Sequence, residues 1–101
     1  MLLHIEWDDA RDEPRLKKYY QYNLEKNRPW WQKKIDEGIV KSAQGWGDGT
    51  GHIVHLTEFE DTEAFAKFWA DEKFHYLMLG FFPLVDNMKL RIFRPGMRPK
   101  S

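Results

Sequence analysis

Apolar residues recur at a period of two in four short segments and near a helical period in two longer ones, and the order of those segments most constrains the fold. Leu2 to Trp7 alternates Leu3, Ile5 and Trp7 with Leu2, His4 and Glu6, which is the period of a strand. Pro14 suits the start of a helix, where its missing N–H would be unpaired in any case. Leu16, Tyr20, Leu24, Trp31 and Ile35 follow at nearly helical spacing, with a kink or restart expected at Pro29 and a stop at Gly38. Ile39 to Gln44 reads as a second strand, Gly45 to Gly51 as a hairpin connector, and His52 to Phe59 as a third strand. Its alternation places Ile53, His55, Thr57 and Phe59 on one face and His52, Val54, Leu56 and Glu58 on the other. Asp61 caps a second helix that carries Phe65, Phe68, Trp69, Tyr76 and Leu79 and ends at Gly80. An apolar crossover, Phe81 to Val85, leads to a last strand over Asn87 to Arg94.

The resulting order, β-α-β-β-α-β, is the split βαβ pattern. It predicts an α+β, ferredoxin-like fold: a four-stranded antiparallel-type sheet with two helices on one face, and strands one and three as central parallel neighbours. One domain spans 1–95, with a basic, Pro-containing tail over 96–101. The sheet face without helices carries apolar residues from several strands and calls for a cover. A second copy is the simplest one, giving a homodimer of the dimeric α/β-barrel type.

Composition narrows the partners. Sixteen Lys and Arg balance sixteen Asp and Glu, so no net field draws the chain to nucleic acid or to an anionic membrane. The absence of Cys removes disulfides, thiolate nucleophiles and Cys-ligated metals, in keeping with a cytoplasmic protein. The first residues lack the pattern of a signal peptide, and the longest uncharged run, Phe74 to Val85, is too short to span a bilayer. The glycines of the connector run into a strand instead of a helix N-terminus, which is the wrong topology for a phosphate-binding loop. Aromatic residues make up 16 % of the chain, five of them Trp, which suits a small apolar or aromatic organic ligand as well as a core.

The four histidines are the main candidates for chemistry. His52 and His55 are three apart on a strand and face opposite ways, so they do not ligate one metal, and no metal or cofactor is expected. His4 and His52 stand near the starts of strands expected to be parallel neighbours, and His75, late in the second helix region, leans over the same end. Three imidazoles around an apolar cavity would form an acid/base site. Glu6 is placed to orient an imidazole, and Tyr20, Phe65, Phe68, Trp69, Tyr76 and Leu90 are candidate pocket walls. Two alternatives stand beside this reading: a non-catalytic ligand-binding or stress-associated dimer with structural histidines, and a haem-binding barrel with an axial His.

The element order resembles the dimeric α/β-barrel superfamily, which includes antibiotic-biosynthesis-type monooxygenases, stress-responsive barrel proteins and small polyketide cyclases. The run His52-Ile53-Val54-His55-Leu56-Thr57-Glu58-Phe59-Glu60-Asp61-Thr62-Glu63, with His4, His75 and Lys89 to Phe93, is similar to the olivetolic acid cyclase family. That resemblance implies His75 as general base with His4 and His52 as pocket partners. The looser monooxygenase resemblance, over Glu58 to Trp69, implies cofactor-independent oxygenation of an electron-rich aromatic. Either way the expected substrate is phenolic or polyketide-like.

Overall fold

A computed structural model describes residues 1–94, so the 96–101 tail lies outside the described residues. Strand β1 (Leu2–Asp9) leads to helix α1 (Glu13–Tyr22), a π-helical turn (Asn23–Asn27) and helix α2 (Arg28–Asp36). Strands β2 (Val40–Gly47) and β3 (His52–Phe59) form the hairpin, followed by helices α3 (Thr62–Ala70) and α4 (Glu72–Phe81), a 3-10 turn (Phe82–Leu84) and strand β4 (Val85–Phe93). The α+β, ferredoxin-like architecture is the expected one.

Local chemistry explains the boundaries. The Asp12 carboxylate accepts the Arg15 backbone N–H, and Pro14 stands in the first turn of α1. Asp61 caps α3 in the same way, through the Ala64 N–H. Asp71 divides the expected second helix in two: it is extended and caps α4 through the Lys73 N–H. The buried Lys34 ammonium, 3.3 Å from the Asp71 carboxylate, ties that break to α2. Gly80 does not end the helix; α4 runs on to Phe81, and the Tyr22 side chain packs against Gly80.

The sheet order is β2-β3-β1-β4 and every neighbouring pair is antiparallel. The expected parallel pairing of β1 with β3 is therefore corrected. The hairpin reverses the chain after the first crossover, so β3 runs against β1, with Ile5 opposite His55 and Asp8 opposite His52. One face of the sheet presents Leu3, Ile5, Trp7, Val40 and Phe59 to the helices, where they are buried with Tyr19, Trp31, Phe65, Phe68, Phe74 and Phe81. Phe68 is the hub of this aromatic layer, with ring centroids 4.6 Å from Phe74, 4.8 Å from Phe59 and 5.5 Å from Trp31.

Truncating this hub removes ring contacts from α2, α4 and β3 together. Phe68→Ala is expected to cost about 3–5 kcal/mol of stability, the range for a fully buried aromatic, measured as a lower midpoint in urea unfolding. A cost below about 1 kcal/mol would contradict the packing described.

Candidate functional site

A cavity of about 490 Å³ opens between the α1–α2 arm and the helix-facing side of the sheet. Trp7, Tyr19, Trp31 and Phe81 supply its aromatic walls, and Asn23, Asn27, Arg28 and Gln32 supply its polar ones. Among the described residues His55 is the one imidazole that lines it. It projects from the middle of β3, opposite Ile5 on one side and Gly45 on the other. Gly45 also lines the cavity, and a Cβ there would meet His55 Cδ2 at an ordinary contact distance of 3.8 Å.

The arm reaches the cavity through a regular stripe. Tyr19, Asn23, Asn27, Trp31 and Ile35 follow one another at intervals of four and all line the space. On an α-helix four residues overshoot a full turn by roughly 40°, so such a stripe would wind away from the sheet. The π-helical turn Asn23–Asn27, closed by the Arg28 N–H on the Asn23 carbonyl, takes up one extra residue and holds the stripe against the cavity.

His55 is electrostatically isolated. Its ring packs 5.0 Å from that of Trp31, and its Nδ1 is enclosed without a hydrogen-bond partner among the described residues. Burial alone pushes its pKa down to about 4, so the ring is neutral near pH 7. The rest of the ring, which is only partly buried, faces the cavity. Tyr19 is held by Trp7 Nε1–H, which donates to its hydroxyl at 3.3 Å, and burial raises the phenol pKa. The wall is thus a neutral base, a neutral phenol, amides and aromatic rings, with the Arg28 guanidinium as its one cation among the described residues.

The expected trio does not converge. His4 and His52 lie on the sheet face turned away from the helices, where Glu6 links them: its carboxylate stands 3.3 Å from His52 Nε2, 3.9 Å from His4 and 3.8 Å from Arg91. His52 Nδ1 also meets Asp8 at 2.7 Å, and Asp8 accepts a further bond from Asn87 at 2.9 Å. Asn87 adopts φ 55 to reach it, a conformation Asn tolerates. The Asp8 contact, with Glu6 behind it, raises the His52 pKa. His75 is exposed on α4, its Nε2 2.8 Å from the Trp69 carbonyl. Of the expected walls, Phe68 is core, Leu90 packs against the core, and Phe65 and Trp69 line a separate depression with Met1 and Arg94. Tyr20 and Tyr76 are exposed, and Glu6 belongs to the far face.

The residues missed were His55 and the stripe. Alternation along β3 already grouped His55 with Ile53 and Phe59, whose face the helices had to cover. The spacing of four from Tyr19 to Ile35 marked two amides on the apolar side of the arm.

Two imidazoles three residues apart should therefore titrate in opposite directions. By NMR, His55 is expected to remain neutral until the pH approaches about 4, whereas His52 titrates above the usual 6.5. His55 binds fewer protons folded than unfolded. Its share of stability is present above pH 6.5 and is lost as pH falls toward 4, by up to about 3 kcal/mol. A His55 resonance that titrates near 6.5 would overturn the isolation described.

No protein-family model and no curated protein matches the sequence. Solved structures do. A candidate antibiotic biosynthesis monooxygenase from Deinococcus radiodurans superposes with a TM-score of 0.70 at 13 % identity, covering 100 % of this chain and 98 % of its own. Another antibiotic biosynthesis monooxygenase gives 0.60 at 21 % identity, over 94 % and 100 %. A dimeric ferredoxin-like protein from an uncultured marine organism gives 0.62 at 12 % identity, over 97 % and 92 %. At these identities the likeness shows the fold: this chain has the ferredoxin-like α+β fold shared by these antibiotic-biosynthesis-monooxygenase-like structures.

Proposed function

We propose that this chain is a small-molecule enzyme that binds a phenolic or polyketide-like aromatic in the cavity under the α1–α2 arm and uses His55 to take its proton. The observation that carries the reading is the pairing of an aromatic-walled space of about 490 Å³ with one neutral, desolvated imidazole. At neutral pH the His55 ring carries a single proton, and its other nitrogen is an acceptor. A phenolate or enolate formed beside it supplies the opposite charge that stabilises the imidazolium, so the ion pair offsets the effect of burial as the proton moves.

The deprotonated ring then has two courses. With dioxygen as oxidant, electrons pass from the electron-rich ring to oxygen and a ring methylene becomes a carbonyl. One oxygen atom stays with the substrate, and the other leaves as water with the two methylene hydrogens, so no outside reductant is consumed. Without dioxygen, a substrate with a side-chain carbonyl closes onto it instead: the new C–C bond replaces the carbonyl π bond, and the alkoxide takes back the proton held by His55. The names borne by the fold's neighbours favour the oxygenation. The aromatic rings on the inner side of the cavity suit either course by limiting water around the anion.

A homodimer completes the reading. The sheet face away from the helices exposes Leu2 at 38 %, Trp46 at 49 % and Phe93 at 48 %, with Val54 and Leu56 between them. It is less apolar than expected, because the Glu6 network occupies its centre. A second copy of the sheet would cover both the apolar margin and the partly buried ion pairs.

Two measurements test these statements. With dithranol, a dihydroxyanthrone, oxygen uptake should equal substrate consumed. His55→Ala should lower the rate about a hundredfold or more, while His4→Ala, His52→Ala and His75→Ala leave it within a few-fold. Full activity in His55→Ala would end the proposal, and its loss in His75→Ala would return the base to α4. Light scattering should give about twice the 12.2 kDa of the chain. A single-chain mass at micromolar concentration would remove the dimer.

A further inference from the structure

We infer that Asn27 is the specificity-determining residue of the cavity and that it reads a free hydroxyl on the ligand's ring. The inference rests on the cavity reading above and adds which aromatics the cavity prefers: those that carry an uncapped O–H. Asn27 is only 9 % exposed, yet its side chain lines the cavity. Its amide Nδ2 donates to Asn23 Oδ1 at 2.6 Å, which fixes the orientation of the group. Its Oδ1 is then left enclosed with no partner among the described residues. A buried carbonyl oxygen without a donor is unfavourable, and a group that supplies one gains the bond without displacing another.

Because the Asn27 side chain lines the cavity, a bound ligand can supply the donor. Asn27 closes the π-helical turn, the one place where the arm departs from α-helical winding, and such turns are frequent at functional sites. Apolar rings at Trp7, Trp31 and Phe81 offer flat surfaces to a planar ligand, and an amide oxygen offers nothing to an ether. A site that hydrogen-bonds a ligand hydroxyl rejects the analogue that lacks it, because the protein atom is stranded again.

The test uses β-naphthol and its methyl ether as probes, titrated against the full chain by quenching of Trp fluorescence. Binding of β-naphthol at least about tenfold tighter than the ether is expected, with the ratio collapsing to within about twofold in Asn27→Ala. Should Asn27→Ala fail to fold, the wild-type Asn27 side-chain amide resonance replaces it: it should shift with β-naphthol and stay in place with the ether. Equal binding of the two probes would overturn this inference alone and leave the cavity as a site for rings. If neither probe binds, the cavity reading falls, and this inference falls with it.

Discussion

The antiparallel ladder between β1 and β3 decides what each side of this protein can do. With Ile5 opposite His55 and Asp8 opposite His52, the register fixes the face and the neighbours of both histidines at once. Alternation then sends Ile5 and His55 under the helices and Asp8 and His52 to the far side. A slip of one residue would exchange the two sets, setting carboxylates among the aromatic rings and leaving Leu3, Ile5 and Trp7 uncovered. Burial of those three apolar side chains opposes such a slip, so the core that stabilises the sheet also assigns the chemistry.

The arm over the sheet meets a second requirement, that one helical segment keep a single stripe of side chains on one cavity. A stripe spaced at four suits neither an unbroken α-helix nor a coiled-coil repeat. Its solution here is one π-helical turn between two α-helical segments, followed by Pro29 in the first turn of α2. Pro29 lacks an N–H, and the wider turn before it limits the backbone bonds that absence would break. The same turn brings Asn23 and Asn27 into one hydrogen bond and leaves one oxygen over. Geometry imposed by packing thus produces the polar feature of the cavity.

Much of this was legible in the residues. The element order, the hairpin, the Asp61 cap and the apolar face of β1 follow from periodicity and turn chemistry, which are local properties. The direction of β3 was legible too, since a hairpin after a parallel crossover can only reverse the chain; reading it as parallel set His4 and His52 beside His75, whereas the two lie around Glu6 on the face away from the helices. Other features lay beyond the sequence because they answer to contacts far along the chain. The Asp71 cap at the break is joined by Lys34 from another helix, and the π turn lies where the stripe meets the cavity. His75 stands late in the second helix region, where the resemblance implies a base, but its ring nitrogen is engaged by the Trp69 carbonyl on an exposed helix.

The two faces of β3 finally set opposite demands on protonation. Asp8, with Glu6 behind it, raises the pKa of His52, so its contribution is fully present below pH 6.5 and fades as the pH climbs through that raised pKa. His55 is held neutral by burial, and its contribution is complete above pH 6.5 and fades toward pH 4. The strand thus carries an imidazole whose pKa is raised on one side and one whose pKa is lowered on the other. An ion-paired imidazolium gives its proton up reluctantly and suits a surface that binds. An unpaired neutral imidazole keeps a lone pair on one ring nitrogen and suits a site that accepts a proton. Three residues of one strand separate the two, and only the sheet between them keeps the carboxylates of one face from raising the base of the other.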